Sequence, residues 1–155
     1  MTSNVPILLA EDEPDDVFLI RRAFVKTRLA VPLYTVSDGE EAVRYLAGEG
    51  AYADRSRHPL PVLLLLDLKM PRRSGFEVLT WLRSQPGLRR LPVVVLTSSA
   101  QSKDIDRAYD LGANSYLTKP VAFDDLLTVI KTLGVYWIVL SHLPQLDARN
   151  EGETP

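Results

Sequence analysis

Three stretches of the chain are almost continuously apolar and then stop at polar residues. VPILLA (5–10) runs into Glu11-Asp12, LPVLLLLD (60–67) ends on Asp67, and LPVVVLTSS (91–99) ends in Thr97-Ser98-Ser99. A continuous apolar run, rather than an alternating one, predicts a parallel strand covered on both faces. NSYLTK (114–119) predicts a fourth buried strand, closing at Lys119-Pro120. The more polar PLYTVSD (32–38) predicts a fifth strand, suited to a sheet edge.

Helical spacing fills the intervals. DDVFLIRRAFVKTRL (15–29) places Val17, Ile20, Phe24 and Val25 roughly on one face, with Asp15 and Asp16 in the first turn, where acids favour a helix N-terminus. DGEEAVRYLAGEG (38–50) starts at an Asp cap and ends in glycine. SGFEVLTWLRSQP (74–86) carries Phe76, Leu79 and Leu82 at helical spacing and is closed by Pro86. SKDIDRAYDLGA (102–113) and FDDLLTVIKTL (123–133) complete the set. The order is strand-helix repeated five times, which predicts an α/β protein with a doubly wound parallel sheet and helices on both faces.

In such folds ligands gather outside the carboxyl ends of the strands. The four buried strands end at Glu11-Asp12, Asp67, Thr97-Ser98-Ser99 and Lys119-Pro120, so the polar residues are predicted to share one rim. Packed carboxylates repel, and a divalent cation relieves that repulsion. Oxygen ligands without His or Cys suit Mg²⁺. A lysine facing them supplies a point charge for a phosphoryl oxygen, Thr97 a hydroxyl donor, and a carboxylate a nucleophile able to form an acyl phosphate. Each residue alone has an ordinary reading: Thr97 or Asp12 as a cap, Lys119 as a surface lysine. Their coincidence at the strand ends favours the site. Pro120 draws Lys119 toward an extended conformation and a tight turn, with a cis bond the minority expectation.

Composition narrows the field. The 155 residues fit one domain, and the net charge of -2 predicts no pull toward nucleic acid or an anionic membrane. The absence of cysteine excludes disulfides and thiolate chemistry. No segment approaches the roughly 20 apolar residues of a membrane span, and the N-terminal run is too short and too acidic for a signal peptide, so a cytoplasmic location is expected. His58 and His142 read as surface or packing residues outside the site.

The stretches ILLAEDEPDD (7–16), LLLLDLKMPRRSGFEVL (63–79), VVVLTSS (93–99) and GANSYLTKP (112–120), in that order and spacing, resemble the receiver domain of two-component response regulators. The resemblance covers residues 5 to about 133, a receiver domain at 1–133 with an extension at 134–155. It implies the flavodoxin-like fold of the chemotaxis regulators, with five strands in the order 2-1-3-4-5. It implies that Asp67 accepts the phosphoryl group and that Asp12, Asp67 and the backbone carbonyl of Lys69 bind Mg²⁺, with Glu11 holding the metal through water. Thr97 resembles the switch hydroxyl, Lys119 the lysine that bridges to the phosphoryl group, and Tyr116 the aromatic whose rotamer follows activation. The PDD after the acid pair and the long AYADRSRHPLP connection look like the single-domain regulators associated with phytochromes, whose partner is a light-sensing histidine kinase. That group usually has DLNLP where this chain has DLKMP. Lys69 and Ser99 therefore stand where family members tune acyl-phosphate lifetime.

The extension begins GVYWIVLSHLP (134–144). Six consecutive apolar residues cannot all point inward, so Tyr136, Trp137, Val139 and Leu140 are expected either to continue the last helix along the body or to form a homodimer or partner surface. The last ten residues are polar and expected to fray. Other functions fit less well. A degenerate receiver serving only as a binding module would have lost Glu11, Asp12, Asp67 or Lys119. A haloacid-dehalogenase-like phosphohydrolase needs an acid two residues after its nucleophile, where this chain has Lys69. A flavodoxin-like electron carrier would be repelled at its phosphate by EDEPDD.

Overall fold

Apolar side chains at alternate positions of each central strand go to opposite faces, and each face is covered by a different set of helices. The computed structural model describes residues 5–28, 30–140 and 142–147. Strands β1 (Ile7–Ala10), β2 (Leu33–Val36), β3 (Leu63–Leu66), β4 (Val93–Thr97) and β5 (Ser115–Thr118) form one parallel sheet in the order β2-β1-β3-β4-β5. Leu8, Leu64, Leu66, Val93 and Val95 face helices α2 (Gly39–Ala47), α3 (Gly75–Arg83) and α4 (Ser102–Asp110). Ile7, Leu9, Leu63, Leu65 and Val94 face α1 (Pro14–Lys26) and α5 (Phe123–Gly134). The doubly wound order expected from the resemblance is therefore the observed one. Every residue of β1, β3 and β4 is buried, whereas β2 is half-buried at one edge and β5, expected to be a buried strand, is half-buried to exposed because it forms the other edge.

Local chemistry sets the helix limits. Asp38 caps α2 by accepting a hydrogen bond from Glu41 N at 2.7 Å, and Gly48 ends it in the left-handed conformation at φ 72°. Ser74 opens α3 with a reciprocal capping box to Glu77. The N-cap of α1 is Glu13, without a side-chain bond, so Asp12 is not used as a cap. The buried residues of α1 are Ile20, Ala23 and Phe24, and Val17 is half-buried. Val25, expected on that face, is 73% exposed. At about 100° per residue Val25 is turned about 140° from Ile20, whereas Ala23 and Phe24 lie within about 60° of it, so Val25 falls outside the buried stripe. The Lys119–Pro120 bond is trans, as are all peptide bonds among the described residues.

The long connection between α2 and β3 is more ordered than its polarity suggested. It forms a 3₁₀ turn at Gly50–Ala53, and Arg55 donates to the carbonyls of Tyr45, Leu46 and His58. His58 packs edge-on against Tyr45 and Tyr52 and makes no contact with the rim residues among those described. After α5 the backbone continues as a wider π-type turn at Val135–Leu140. Val135 and Tyr136 are exposed there, while Trp137 and Ile138 pack beside the α1/α5 core. The side chains of Val139 and Leu140 lie outside the described residues, as do residues 148–155. Part of the segment expected to fray is instead docked: Leu146 packs on the α2/α3/α4 core and Asp147 N donates to Gly87 O at 2.8 Å.

The loop after β3 is wedged between two helix starts. A Cβ on Gly39 would lie 2.0 Å from the carbonyl oxygen of Arg73, and one on Gly75 would lie 2.3 Å from that of Asp67. Neither neighbour is a flexible side chain, so only backbone movement could relieve the clash. Gly39→Ala is expected to destabilise the protein by about 1–3 kcal/mol through overpacking. Urea unfolding should show a lower midpoint with an unchanged slope; an unchanged midpoint would mean that the loop yields freely.

Candidate functional site

Burial of a polar group is costly unless it is compensated, so buried polar residues mark places where something other than packing is at stake. Among the described residues the buried polar or charged ones are Glu11, Asp67, Thr97 and Ser99. All four follow or end β1, β3 and β4 on the carboxyl rim. Parallel pairing puts these strand ends side by side: Asp67 N bonds to Ala10 O at 3.0 Å, and Lys119 N to Thr97 O at 2.8 Å. The rim predicted from four separate strand ends is thus one place.

Glu11, Asp12 and Asp67 each offer a carboxylate oxygen within 4.8 Å of the others. Glu11 and Asp67 are buried and Asp12 half-buried, so one edge of the cluster reaches solvent. The donor set is all oxygen, with two of its three carboxyl groups buried, and this fits a hard divalent cation such as Mg²⁺. Lys69 lies two residues beyond Asp67 with its side chain exposed.

Lys119 is the compensating cation. Its ammonium contacts Glu11 Oε1 closely, donates to Asp16 Oδ2 at 2.9 Å and stands 3.8 Å from Asp67 Oδ2. Burial alone would lower its pKa, but the bonds to Glu11 and Asp16 and the charge of Asp67 together outweigh burial and hold it above the ordinary lysine value. Asp67 Oδ1 accepts from Leu68 N at 2.9 Å, which leaves Oδ2 as the oxygen turned toward Lys119. Burial pushes the Glu11 carboxyl up to about 7, assisted by the charge of Asp67 and resisted by Lys119 and by the Glu13 N–H.

Thr97 Oγ1 is buried and has no hydrogen-bond partner. An unmade bond of this kind costs about 1–3 kcal/mol and leaves the hydroxyl free to satisfy an incoming acceptor. Ser99, in contrast, is committed: its hydroxyl donates to Asp104 Oδ2 at 2.6 Å and accepts from Gln101 N at 3.3 Å. Tyr116 donates its hydroxyl to the Ser99 carbonyl at 2.8 Å, which ties β5 to the loop after β4.

One participant was not singled out in the sequence. Asp16 was read only as a first-turn acid, yet it hydrogen-bonds the rim lysine. The available signal was its place at the start of the helix that leaves the rim. Tyr136 and Trp137 lie at the far end of α5, beside a groove of about 500 Å³ whose walls include Leu117, Val129 and Leu133.

Comparison with known proteins supports the same reading. The family model described as the response regulator receiver domain matches residues 7–131. The response regulator Rcp1 of Synechocystis is 36% identical over 144 residues, covering 92% of this chain and 96% of that protein. A crystal structure of the phosphorylated cyanobacterial phytochrome response regulator RcpA superposes with a TM-score of 0.85 at 39% identity, covering 92% of this chain and all of that one. The Mn²⁺-bound form of Rcp1 gives a TM-score of 0.81 at 35% identity, covering 90% of this chain and 99% of that one.

The raised Glu11 pKa has a direct consequence for the metal-free protein. A carboxyl that holds its proton more tightly when folded contributes stability below about 4.5, and that contribution is lost as the pH rises to about 7. Calorimetric melts in EDTA should show this loss, and Glu11→Gln should remove it. A pH profile unchanged by the substitution would contradict the assignment of the buried charge to Glu11.

Proposed function

We propose, from the premise that the chain belongs to the response regulator receiver domain family, that it is a two-component phosphorelay switch whose acceptor is Asp67. The observation that carries this reading is the convergence of Glu11, Asp12, Asp67, Thr97 and Lys119, with Thr97 Oγ1 still lacking a partner. The donor is the phosphohistidine of a sensor histidine kinase. The likeness to a phytochrome response regulator favours a phytochrome-type kinase. Like other receivers it acts in the cytoplasm, and among the described residues no helix is long and apolar enough to cross a membrane. Its net charge of -2 gives nucleic acid no electrostatic footing.

In the transfer, the Asp67 oxygen facing Lys119 forms a bond to phosphorus as the P–N bond of the donor breaks. The electron pair returns to the imidazole nitrogen, which takes a proton from solvent and leaves as neutral histidine. Lys119 stabilises the transferred oxygens, already standing 3.8 Å from the acceptor. Mg²⁺ held by Asp12, Asp67 and the Lys69 carbonyl, with Glu11 acting through water, would neutralise charge on the phosphoryl oxygens. The protein promotes its own phosphorylation and slow hydrolysis and is not a turnover enzyme.

The product places about two negative charges and three acceptor oxygens on the rim. Thr97 swings its free hydroxyl to one of them. Tyr116 then gives up the Ser99 carbonyl and moves into the vacated space, changing the α4–β5–α5 surface. Lys69 and Ser99 flank the approach of water and set the lifetime of the acyl phosphate. The receiver occupies residues 1–133, and its extension offers Tyr136, with the half-buried Trp137 beside it, to a second copy or to a downstream protein; the side chains of Val139 and Leu140, expected in the same surface, lie outside the described residues. The exposed Tyr136 beside the apolar groove supports that role.

Intact-mass measurement with acetyl phosphate and Mg²⁺ tests the reading. One added phosphoryl group is expected, absent with EDTA and absent in Asp67→Ala. An adduct that persists in Asp67→Ala would move the acceptor elsewhere. No adduct, together with no response to beryllofluoride, would leave a constitutive binding module.

A further inference from the structure

We infer that Asp16 is a positioning residue that competes with the phosphoryl group for Lys119, and so sets how strongly the resting site resists phosphorylation. The inference rests on the phosphoacceptor reading and adds a residue to it.

An ammonium has three donors. In the resting site Lys119 makes its close contacts with Glu11 and Asp16, while Asp67 Oδ2 is 3.8 Å away, beyond hydrogen-bond reach. Two of the three donors are engaged and the third does not reach Asp67, so drawing Lys119 in to a phosphoryl group there requires one of its two present partners to loosen its hold. The two partners differ in how readily they can do so. Glu11 is buried, its side chain 1% exposed, and a carboxylate abandoned there would have no water to turn to. The Asp16 side chain is 36% exposed and can be rehydrated where it stands. It is also held in the first turn of α1, where the helix N-terminus favours a carboxylate regardless of what Lys119 does. Asp16 is thus the partner that lets go.

Asp16 lies outside the cluster of Glu11, Asp12 and Asp67. A cation held by that cluster would therefore not take the Asp16 carboxylate from Lys119 as one of its ligands. Asp15 supplies an internal control. It carries the same charge in the same turn, is exposed, and makes no ion pair with Lys119. A general electrostatic effect on an arriving dianion would act through both acids, whereas competition for the lysine acts through Asp16 alone.

The test is calorimetric titration of the full chain with beryllofluoride in saturating Mg²⁺, for the wild type, Asp16→Asn, Asp16→Glu and Asp15→Asn, with thermal melts of each as a check on folding. Asp16→Asn is expected to tighten binding about threefold to fivefold, the range open to a half-exposed ion pair, while Asp16→Glu and Asp15→Asn stay within about twofold of wild type. Binding that is unchanged or weaker in Asp16→Asn would overturn the inference, as would an equal gain in Asp15→Asn. Failure of the wild type itself to bind beryllofluoride would take down the phosphoacceptor reading as well, and that outcome is visible before any variant is compared.

Discussion

One ammonium group balances the charge of the functional rim. Lys119 leaves the end of β5 and meets Glu11, which follows β1, although β3 and β4 lie between those strands in the sheet. It also reaches Asp16 on α1 and approaches Asp67 after β3. Three negative groups from three separate segments therefore depend on one positive one. The balance is incomplete, since Glu11 still holds its proton up to about 7. A site left with surplus negative charge accepts a cation readily, and a phosphoryl dianion enters only when cationic partners are there to receive it.

The surrounding fold keeps this unstable arrangement in place. The backbone of the loop after β3, which carries Asp67, is closely approached by Gly75 on one side and, through Arg73, by Gly39 on the other. Arg73 also pairs with Glu40 at 2.8 Å, which joins the loop to the start of α2. Around this firm loop, two groups have room to change. Thr97 Oγ1 has no partner to lose, and Tyr116 is held by one hydrogen bond to the Ser99 carbonyl. In the proposed switch, this pairing of a confined Asp67 loop with an uncommitted hydroxyl is what would turn a local gain of charge into a change of surface.

Most of this was legible in the sequence because strand periodicity and strand endings are local signals. The apolar runs ending in Glu11-Asp12, Asp67 and Thr97 gave both the sheet and its rim, and the polarity of PLYTVSD marked β2 as an edge strand. Asp38 and Gly48 were recognisable as the two ends of α2 for the same reason. What escaped detection depends on where a side chain goes in three dimensions. Asp16 has the same local signature as Asp15, and only the path of Lys119 separates them. Val25 sits one residue from a buried Phe24, and the helix phase alone places it in solvent. The return of Leu146 and Asp147 to the body is set by an apolar edge and by the Gly87 carbonyl, both remote in sequence.

The measurement that tests the account most directly is the thermal stability of the wild-type chain at pH 8, first without metal, then with Mg²⁺, then with Mg²⁺ and beryllofluoride. If the rim is a surplus of carboxylate waiting for a cation and then for a phosphoryl group, the midpoint rises with Mg²⁺ and rises again with beryllofluoride. A midpoint that moves with neither would contradict it, because a carboxylate cluster balanced by Lys119 alone would have no further charge to accept.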